Sequence, residues 1–125
     1  MPAETTNQQS ILDLAEAMRN LDGDAELLQE IVEIFMETAE LQIQSLTDAI
    51  RDGNVQKVAI EAHAMKGGAS NLCAGEFVVA ALALELHAKS GSLDGAWELL
   101  ETLVATLKDL RDVIGFINWA ELAQG

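Results

Sequence analysis

The stretch VQKVAIEAHAMKGGASNLCAG, residues 55–75, decides how this chain folds. At about 100° per residue, its apolar side chains fall within one arc of a helix. These side chains are Val55, Val58, Ala62, Met65, Ala69 and Leu72. His63 lies roughly 130° from the middle of that arc. The stretch therefore predicts an amphipathic helix whose histidine faces solvent rather than the core.

Two adjacent glycines, Gly67 and Gly68, follow His63 by about one helical turn. A glycine at a solvent-facing helix position costs roughly 1 kcal/mol relative to alanine. Access is one explanation, because without a Cβ another macromolecule can come close to the imidazole. A kink or an early helix end is the other, and the residues alone leave both open.

Lys66 follows His63 at i+3, on the same side of the helix. Its ammonium is within reach of anything attached to the ring, and it could neutralise a phosphoryl group or another anion there. The alternative is an ordinary solvent-exposed pair with Ser70 or with the charge near Glu61.

Helical spacing of apolar residues continues on both sides of this stretch. Ser10 is expected to cap a short helix over 11–20, Asp24 a long helix to about residue 52, and Asn54 the quoted helix. A fourth helix is predicted over about 75–89, and a last long one over about 94–117.

Short connections make neighbouring helices antiparallel. We therefore predict an all-α fold: an antiparallel up-down-up-down four-helix bundle with a short extra N-terminal helix. The expected domain covers residues 10–118, between an N-terminal tail of residues 1–9 and a C-terminal tail of residues 119–125.

Composition narrows the class of partner. The chain has 125 residues, half of them hydrophobic, and a net charge of −14, which argues against nucleic acid and anionic membranes as partners. It has no apolar run of membrane-spanning length, and its first residues lack the pattern of a signal peptide. Its single cysteine, Cys73, fits a reducing compartment. We expect a cytoplasmic protein.

The motif AHAMKGGASNLCA resembles the signature of histidine-containing phosphotransfer (HPt) domains, in which Ala-His-x-hydrophobic-Lys-Gly precedes small residues and Asn-Leu-Gly-Ala. The resemblance continues through DGDAELLQEIVEIFMETA, LTDAIRDGNVQKV and LALELHAKSGSLDGAWELLETL, and so covers roughly residues 11–113. It implies the same four-helix bundle, and a phosphoryl carrier in a two-component phosphorelay rather than a complete enzyme.

The resemblance also implies roles for residues. His63 would accept the phosphoryl group through Nε2, Lys66 would compensate its charge, and Gly67 would keep the face open. Glu85 matches a position that supports the imidazole Nδ1 in some members, with a solvated glutamate as the alternative. The surrounding face would contact the partner. That face comprises Gln56, Ala59, Ile60, Ala64, Gly67, Gly68 and Ser70.

The implied partner is the receiver domain of a response regulator, a hybrid histidine kinase, or both. The partner would supply the acidic pocket and the Mg²⁺, so this chain itself needs no cofactor. We expect a monomer. Two positions depart from the family pattern: Cys73 stands where glycine is usual, which we attribute to a tight helix contact, and Gly68 stands where serine or alanine is common.

Three other interpretations compete with phosphotransfer: a metal site, a non-catalytic adaptor and a cysteine nucleophile. A metal site would draw on His63, His87, Cys73, Glu61 and Glu85, but the Glu-x-His spacings point the two side chains to different faces. His87, together with Lys89, is better explained as a cation near a helix C-terminus. An adaptor bundle could bind a partner through Ile60 without any chemistry. Nucleophilic catalysis by Cys73 would need a base, and none lies beside it in sequence.

Overall fold

The computed structural model describes residues 8–124, which form helices joined by short turns, with no strand among them. The helices are α1 (Leu14–Asn20), α2 (Ala25–Arg51), α3 (Val55–Asn71), α4 (Gly75–Lys89), α5 (Ala96–Gly115) and α6 (Trp119–Gln124). Residues 8–11 form one further helical turn ahead of α1.

Helices α2, α3, α4 and α5 form the bundle. Each packs against the next along the chain, and α2 also contacts α5, which closes the ring. Because the turns between them are short, consecutive helices run antiparallel. The predicted all-α bundle is confirmed, with α1 packed on α2 as the extra N-terminal helix.

Two of the three predicted helix caps are confirmed. The Asp24 carboxylate accepts a hydrogen bond from the Leu27 N–H at 3.0 Å, and the Asn54 side chain accepts one from the Lys57 N–H at 3.1 Å. Each satisfies a backbone donor that the first turn of a helix leaves without a partner.

The Ser10 cap is wrong. Helix α1 begins at Leu14, and its cap is Asp13, whose side chain accepts from the Glu16 N–H. The Asp13 backbone N–H donates instead to the carbonyl of Cys73 at 3.0 Å, so the helix cannot continue back through this residue. The Ser10 hydroxyl donates to the Glu76 carboxylate.

The structure describes only part of the two predicted tails. Residues 1–7 of the N-terminal tail lie outside the described residues, and residues 8 and 9 already belong to the helical turn. In the predicted C-terminal tail, residues 119–124 form α6, which contacts α2. Trp119 is partly buried against the core, and this apolar contact explains why the segment folds back.

The predicted core face of α3 is confirmed: Val58, Ala62, Met65, Ala69 and Leu72 are buried, and Val55 packs partly against them. In the same core, the ring of Phe35 on α2 meets the ring of Phe77 on α4 edge to face, with the two ring centroids 5.4 Å apart.

The two glycines of α3 differ in their surroundings. The helix runs through both of them to Asn71, so the early-end interpretation is wrong. A Cβ at Gly67 would meet nothing within 4 Å, whereas a Cβ at Gly68 would lie 3.5 Å from the Phe35 ring. Only Gly67 is therefore an open position, and Gly68 belongs partly to the packing beneath the face.

Cys73 ends α3 in a left-handed conformation, with φ at +62°. The Cys73 N–H bonds the Ser70 carbonyl, and the Ala74 N–H bonds the Ala69 carbonyl, which is the Schellman pattern of a helix C-terminus. Glycine is favoured there because it has no Cβ to strain. The family preference for glycine is thus a matter of backbone conformation, and our attribution to a tight helix contact is wrong.

None of the helices in the range 8–124 combines the length and apolar character that crossing a membrane requires.

We expect Phe77→Ala to lower the free energy of unfolding by about 3–5 kcal/mol, because it removes a fully buried ring from the centre of the bundle. Phe116→Ala is the matched control. That ring is 87% exposed, so its loss should change stability by less than about 0.5 kcal/mol. Urea unfolding followed by circular dichroism measures both, and equal effects would contradict this description of the core.

Candidate functional site

His63 lies on the outer face of α3, with 65% of its side chain exposed. This confirms the orientation predicted from the helical period. Its Nδ1 lies 2.9 Å from Oε2 of Glu85 on α4. The imidazole is therefore open to solvent on one side and held by a side chain of the neighbouring helix on the other.

Glu85 is buried, with only 1% of the residue exposed. It lies one helical turn from Ala81 and directly after Leu84, both of which are core residues, and this places it at the edge where α4 packs on α3. The solvated glutamate that the sequence left open is wrong. A buried carboxylate needs charged or hydrogen-bonding partners.

The contact with Glu85 determines which ring nitrogen of a neutral His63 carries the proton. An ionised carboxylate only accepts hydrogen bonds, so Nδ1 must donate to it. The neutral imidazole then has its lone pair on Nε2. Among the described residues, Glu85 is the only hydrogen-bond partner of His63, which leaves Nε2 available to a reactant.

Lys66 takes part in the same cluster. Its Nζ lies 2.9 Å from Oε1 of Glu85, and its side chain is 26% exposed. The sequence placed this ammonium beside whatever the ring carries, with a solvent pair to Ser70 or near Glu61 as the alternative. The Ser70 hydroxyl instead donates to the Lys66 backbone carbonyl. In the structure the charge of Lys66 is paired with Glu85.

Lys89 is the site residue that sequence reasoning missed. Its Nζ lies 2.7 Å from Oε2 of Glu85. The sequence analysis explains Lys89, with His87, only as a cation near a helix C-terminus. The signal was present, because a glutamate followed by a lysine at i+4 is the favoured orientation of a helical ion pair.

These contacts lower the pKa of Glu85 from its ordinary value of 4.5 to about 2. The contact with the Lys89 ammonium is the largest cause and that with the Lys66 ammonium the next; burial acts in the opposite direction, and His63 adds a smaller lowering effect. Glu85 is thus ionised at neutral pH, as the tautomer argument requires.

The expected partner-binding residues are mostly accessible. Ile60 is 69% exposed, which is unusual for a large apolar side chain. Ala59 and Gly68 are only partly exposed. The exposed members are Gln56, Ile60, Ala64, Gly67 and Ser70.

The other candidate groups lie elsewhere. Nε2 of His87 contacts the backbone carbonyl of Asp94, and it must donate there because a carbonyl only accepts. Burial raises the pKa of the half-buried Cys73 thiol, whose sulfur lies 3.7 Å from the Asn20 side-chain nitrogen. Within residues 8–124 no group of three or more His, Cys, Asp or Glu side chains is arranged to hold a metal ion.

The lowered pKa of Glu85 gives a pH prediction. Between about pH 4.5 and about pH 2 the unfolded chain binds a proton at Glu85 that the folded chain does not. The stability contributed by the ionised form is therefore fully present above this window and is lost as the pH falls through it. The free-energy difference between the parent and Glu85→Gln should shrink across the same range.

Urea titrations at a series of pH values measure this difference. Glu101→Gln is the control, because Glu101 is exposed and has no ion pair within the described range. Its difference curve should be flatter than that of Glu85→Gln. Parallel curves for the two variants would contradict the ion pairs assigned to Glu85.

Comparison with known proteins covers most of the chain. The model of the Hpt domain family matches residues 30–113. Among solved structures, the crystal structure of histidine-containing phosphotransfer protein B (HptB) from Pseudomonas aeruginosa PAO1 is similar, with a TM-score of 0.72 and 26% sequence identity. The match covers 91% of this chain and 95% of that one. No curated protein sequence matches the chain at a significant level.

The family model spans more than half of the chain, and the similar solved structure extends the likeness to nearly all of it. The partners of this family are receiver domains and kinases of phosphorelays. The chain therefore belongs to the Hpt domain family and has a histidine phosphotransfer role in phosphorelay signalling.

Proposed function

We propose that His63 is the residue that carries the phosphoryl group, and that Nε2 is the atom that accepts it. One observation carries this proposal: the exposed imidazole has its Nδ1 held at 2.9 Å by a buried carboxylate. The contact fixes the tautomer, fixes the ring, and leaves the nucleophilic nitrogen facing the side from which a partner can approach.

The transfer step follows from this geometry. The Nε2 lone pair forms a bond to the phosphorus of an aspartyl phosphate. The bond from phosphorus to the aspartyl oxygen breaks, and its electron pair leaves with the carboxylate. The Nδ1 proton stays on the ring, which becomes positively charged, and the carboxylate of Glu85 stabilises that charge.

The same charge makes the step reversible. While Nδ1 keeps its proton, the ring is a good leaving group, so a second aspartate can take the phosphoryl group from Nε2. Glu85 therefore assists both directions of transfer without touching the phosphoryl group. This suits a carrier, which must release what it accepts.

We propose the receiver domain of a response regulator as the partner, with a hybrid histidine kinase as a further donor. The partner would bring the reacting aspartate and a Mg²⁺ ion, since among residues 8–124 the only carboxylate that contacts the His63 ring is that of Glu85, which lies at Nδ1 rather than at Nε2. The open surface at Gly67 supports this, as does the exposed Ile60 one turn before His63, which offers an apolar contact.

We further propose that the chain works as a monomer in the cytoplasm. The charge of −14 supports a solvated outer surface and favours separate copies over association. The half-buried single thiol is compatible with a reducing compartment.

Phosphorylation should depend on His63 and not on His87. We expect His63→Gln to abolish labelling by a phosphorylated receiver domain, and the parent label to be acid-labile and base-stable, as a phosphoramidate is. Stability should change by less than about 1 kcal/mol, because Lys66 and Lys89 still compensate Glu85. His87→Gln is the control and should label like the parent. Full labelling of the His63→Gln protein would refute the proposed site.

The role of Gly67 can be separated from chemistry at His63 by changing the size of the donor. We expect Gly67→Leu to slow labelling by a receiver domain more than about tenfold, equivalent to 1.4 kcal/mol, because the new side chain blocks the approaching domain. Labelling by phosphoramidate, a small donor, should stay within about twofold. Stability should hold or rise, because leucine favours a helix more than glycine does.

Gly115→Leu is the matched control, since Gly115 also lies in a helix with nothing within 4 Å of its Cβ position. It should leave both reactions unchanged. If Gly67→Leu slows the two donors equally, the substitution acts on His63 itself, and Gly67 is not an access position.

A further inference from the structure

The cluster at Glu85 holds more positive charge than its single carboxylate requires. Lys66 contacts Oε1 at 2.9 Å, and Lys89 contacts Oε2 at 2.7 Å. Oε2 also receives the His63 Nδ1 hydrogen bond. Two of the seven Lys and Arg residues in an otherwise acidic chain thus meet at one buried group.

Phosphorylation of His63 would bring a second anion, the phosphoryl group, within reach of the Lys66 ammonium, which already pairs with the Glu85 carboxylate. A phosphoryl group carries a charge of about −1.5 to −2 at pH 7. Lys66 lies at i+3 from His63 on the same helix and can turn toward it. If Lys66 were the only ammonium on Glu85, this movement would leave the buried carboxylate with the His63 ring as its single charged partner, which is costly. The two anions would then compete for one ammonium.

Lys89 removes this competition. It contacts the carboxylate from the same helix at i+4, and it contacts Oε2 rather than the Oε1 atom that Lys66 occupies. When Lys66 leaves, Oε2 still has both the Lys89 ammonium and the Nδ1–H of the ring.

We propose that Lys89 is a positioning residue, which keeps Glu85 compensated so that Lys66 is free to pair with the phosphoryl group on His63. This inference rests on the proposed role of His63. It assigns the two lysines different tasks: Lys66 exchanges one anion for another, whereas Lys89 stays on Glu85 throughout.

The test compares the effect of Lys89→Ala in two backgrounds, with phosphoramidate as the donor and phosphohistidine measured by ³¹P NMR. In the parent, we expect Lys89→Ala and Lys66→Ala each to slow labelling of His63 about five- to tenfold, as expected for a lost charge-assisted contact. In the Glu85→Gln background, Lys66 has no carboxylate to hold it. Lys89→Ala should therefore change the rate by less than about twofold in that background.

Two controls accompany this comparison. Lys89→Arg should restore most of the rate, because it keeps a cation at i+4 from Glu85. Lys108→Ala removes an exposed i,i+4 pair with Asp112 on α5 and should leave the rate at the parent value. Thermal midpoints of all variants show whether a rate change follows from lost stability.

Each possible result of this comparison either supports or overturns the proposed role of Lys89. If Lys89→Ala slows labelling equally in both backgrounds, Lys89 contacts the phosphoryl group directly and the proposed division of tasks is wrong. If Lys89→Ala has no effect in the parent, Lys89 has no part in the reaction. Failure of the parent to label at His63 would instead refute the proposed function.

Discussion

One buried carboxylate, that of Glu85, holds the functional face of this protein together. Glu85 stands on α4, and His63 and Lys66 contact it from α3, so the carboxylate joins the two helices. Lys89 contacts it from α4 itself. A carboxylate at 1% exposure is tolerated only with such partners, so the contact restricts how the two helices can rotate against each other. The hydrogen bond between Nδ1 of His63 and the Glu85 carboxylate also selects the imidazole tautomer. Packing and reactivity therefore depend on a single side chain, and neither can be altered there without affecting the other.

The sequence predicts most of what a single helix determines. The exposure of His63, the buried face of α3 and the caps at Asp24 and Asn54 all follow from helical period and local side-chain chemistry. The cluster at Glu85 does not, because it depends on the rotation of α4 against α3, which is a tertiary property. The i,i+4 spacing of Glu85 and Lys89 indicated a pair, but not that the pair is buried beside a histidine. The fold of residues 119–124 was missed for the same reason, since Trp119 finds its partner far away along the chain.

A passive adaptor would need only the exposed apolar and small residues of this face. It would have no use for a buried, ionised carboxylate, which is expensive to desolvate and, even when paired, seldom stabilises a fold more than apolar side chains of similar volume would. The arrangement around Glu85 therefore favours chemistry at His63 over simple binding. Cys73 is a poor competing nucleophile, because burial raises the pKa of its thiol and the nearby carboxylates of Glu16 and Asp13 raise it further.

The exposure of His63 has a consequence for timing. If His63 carries the phosphoryl group as proposed, the 65% exposure of its side chain would make the attached group accessible to water as well as to a partner. Since this side chain is exposed, hydrolysis of the bond between phosphorus and nitrogen would set an upper limit on how long the phosphoryl group is retained. A phosphoryl group that is not transferred to a recipient within that time would be lost to hydrolysis. The rate of transfer to the recipient, which rises with its concentration, would compete with the rate of hydrolysis. The ratio of the two rates would determine what fraction of the phosphoryl groups is passed on.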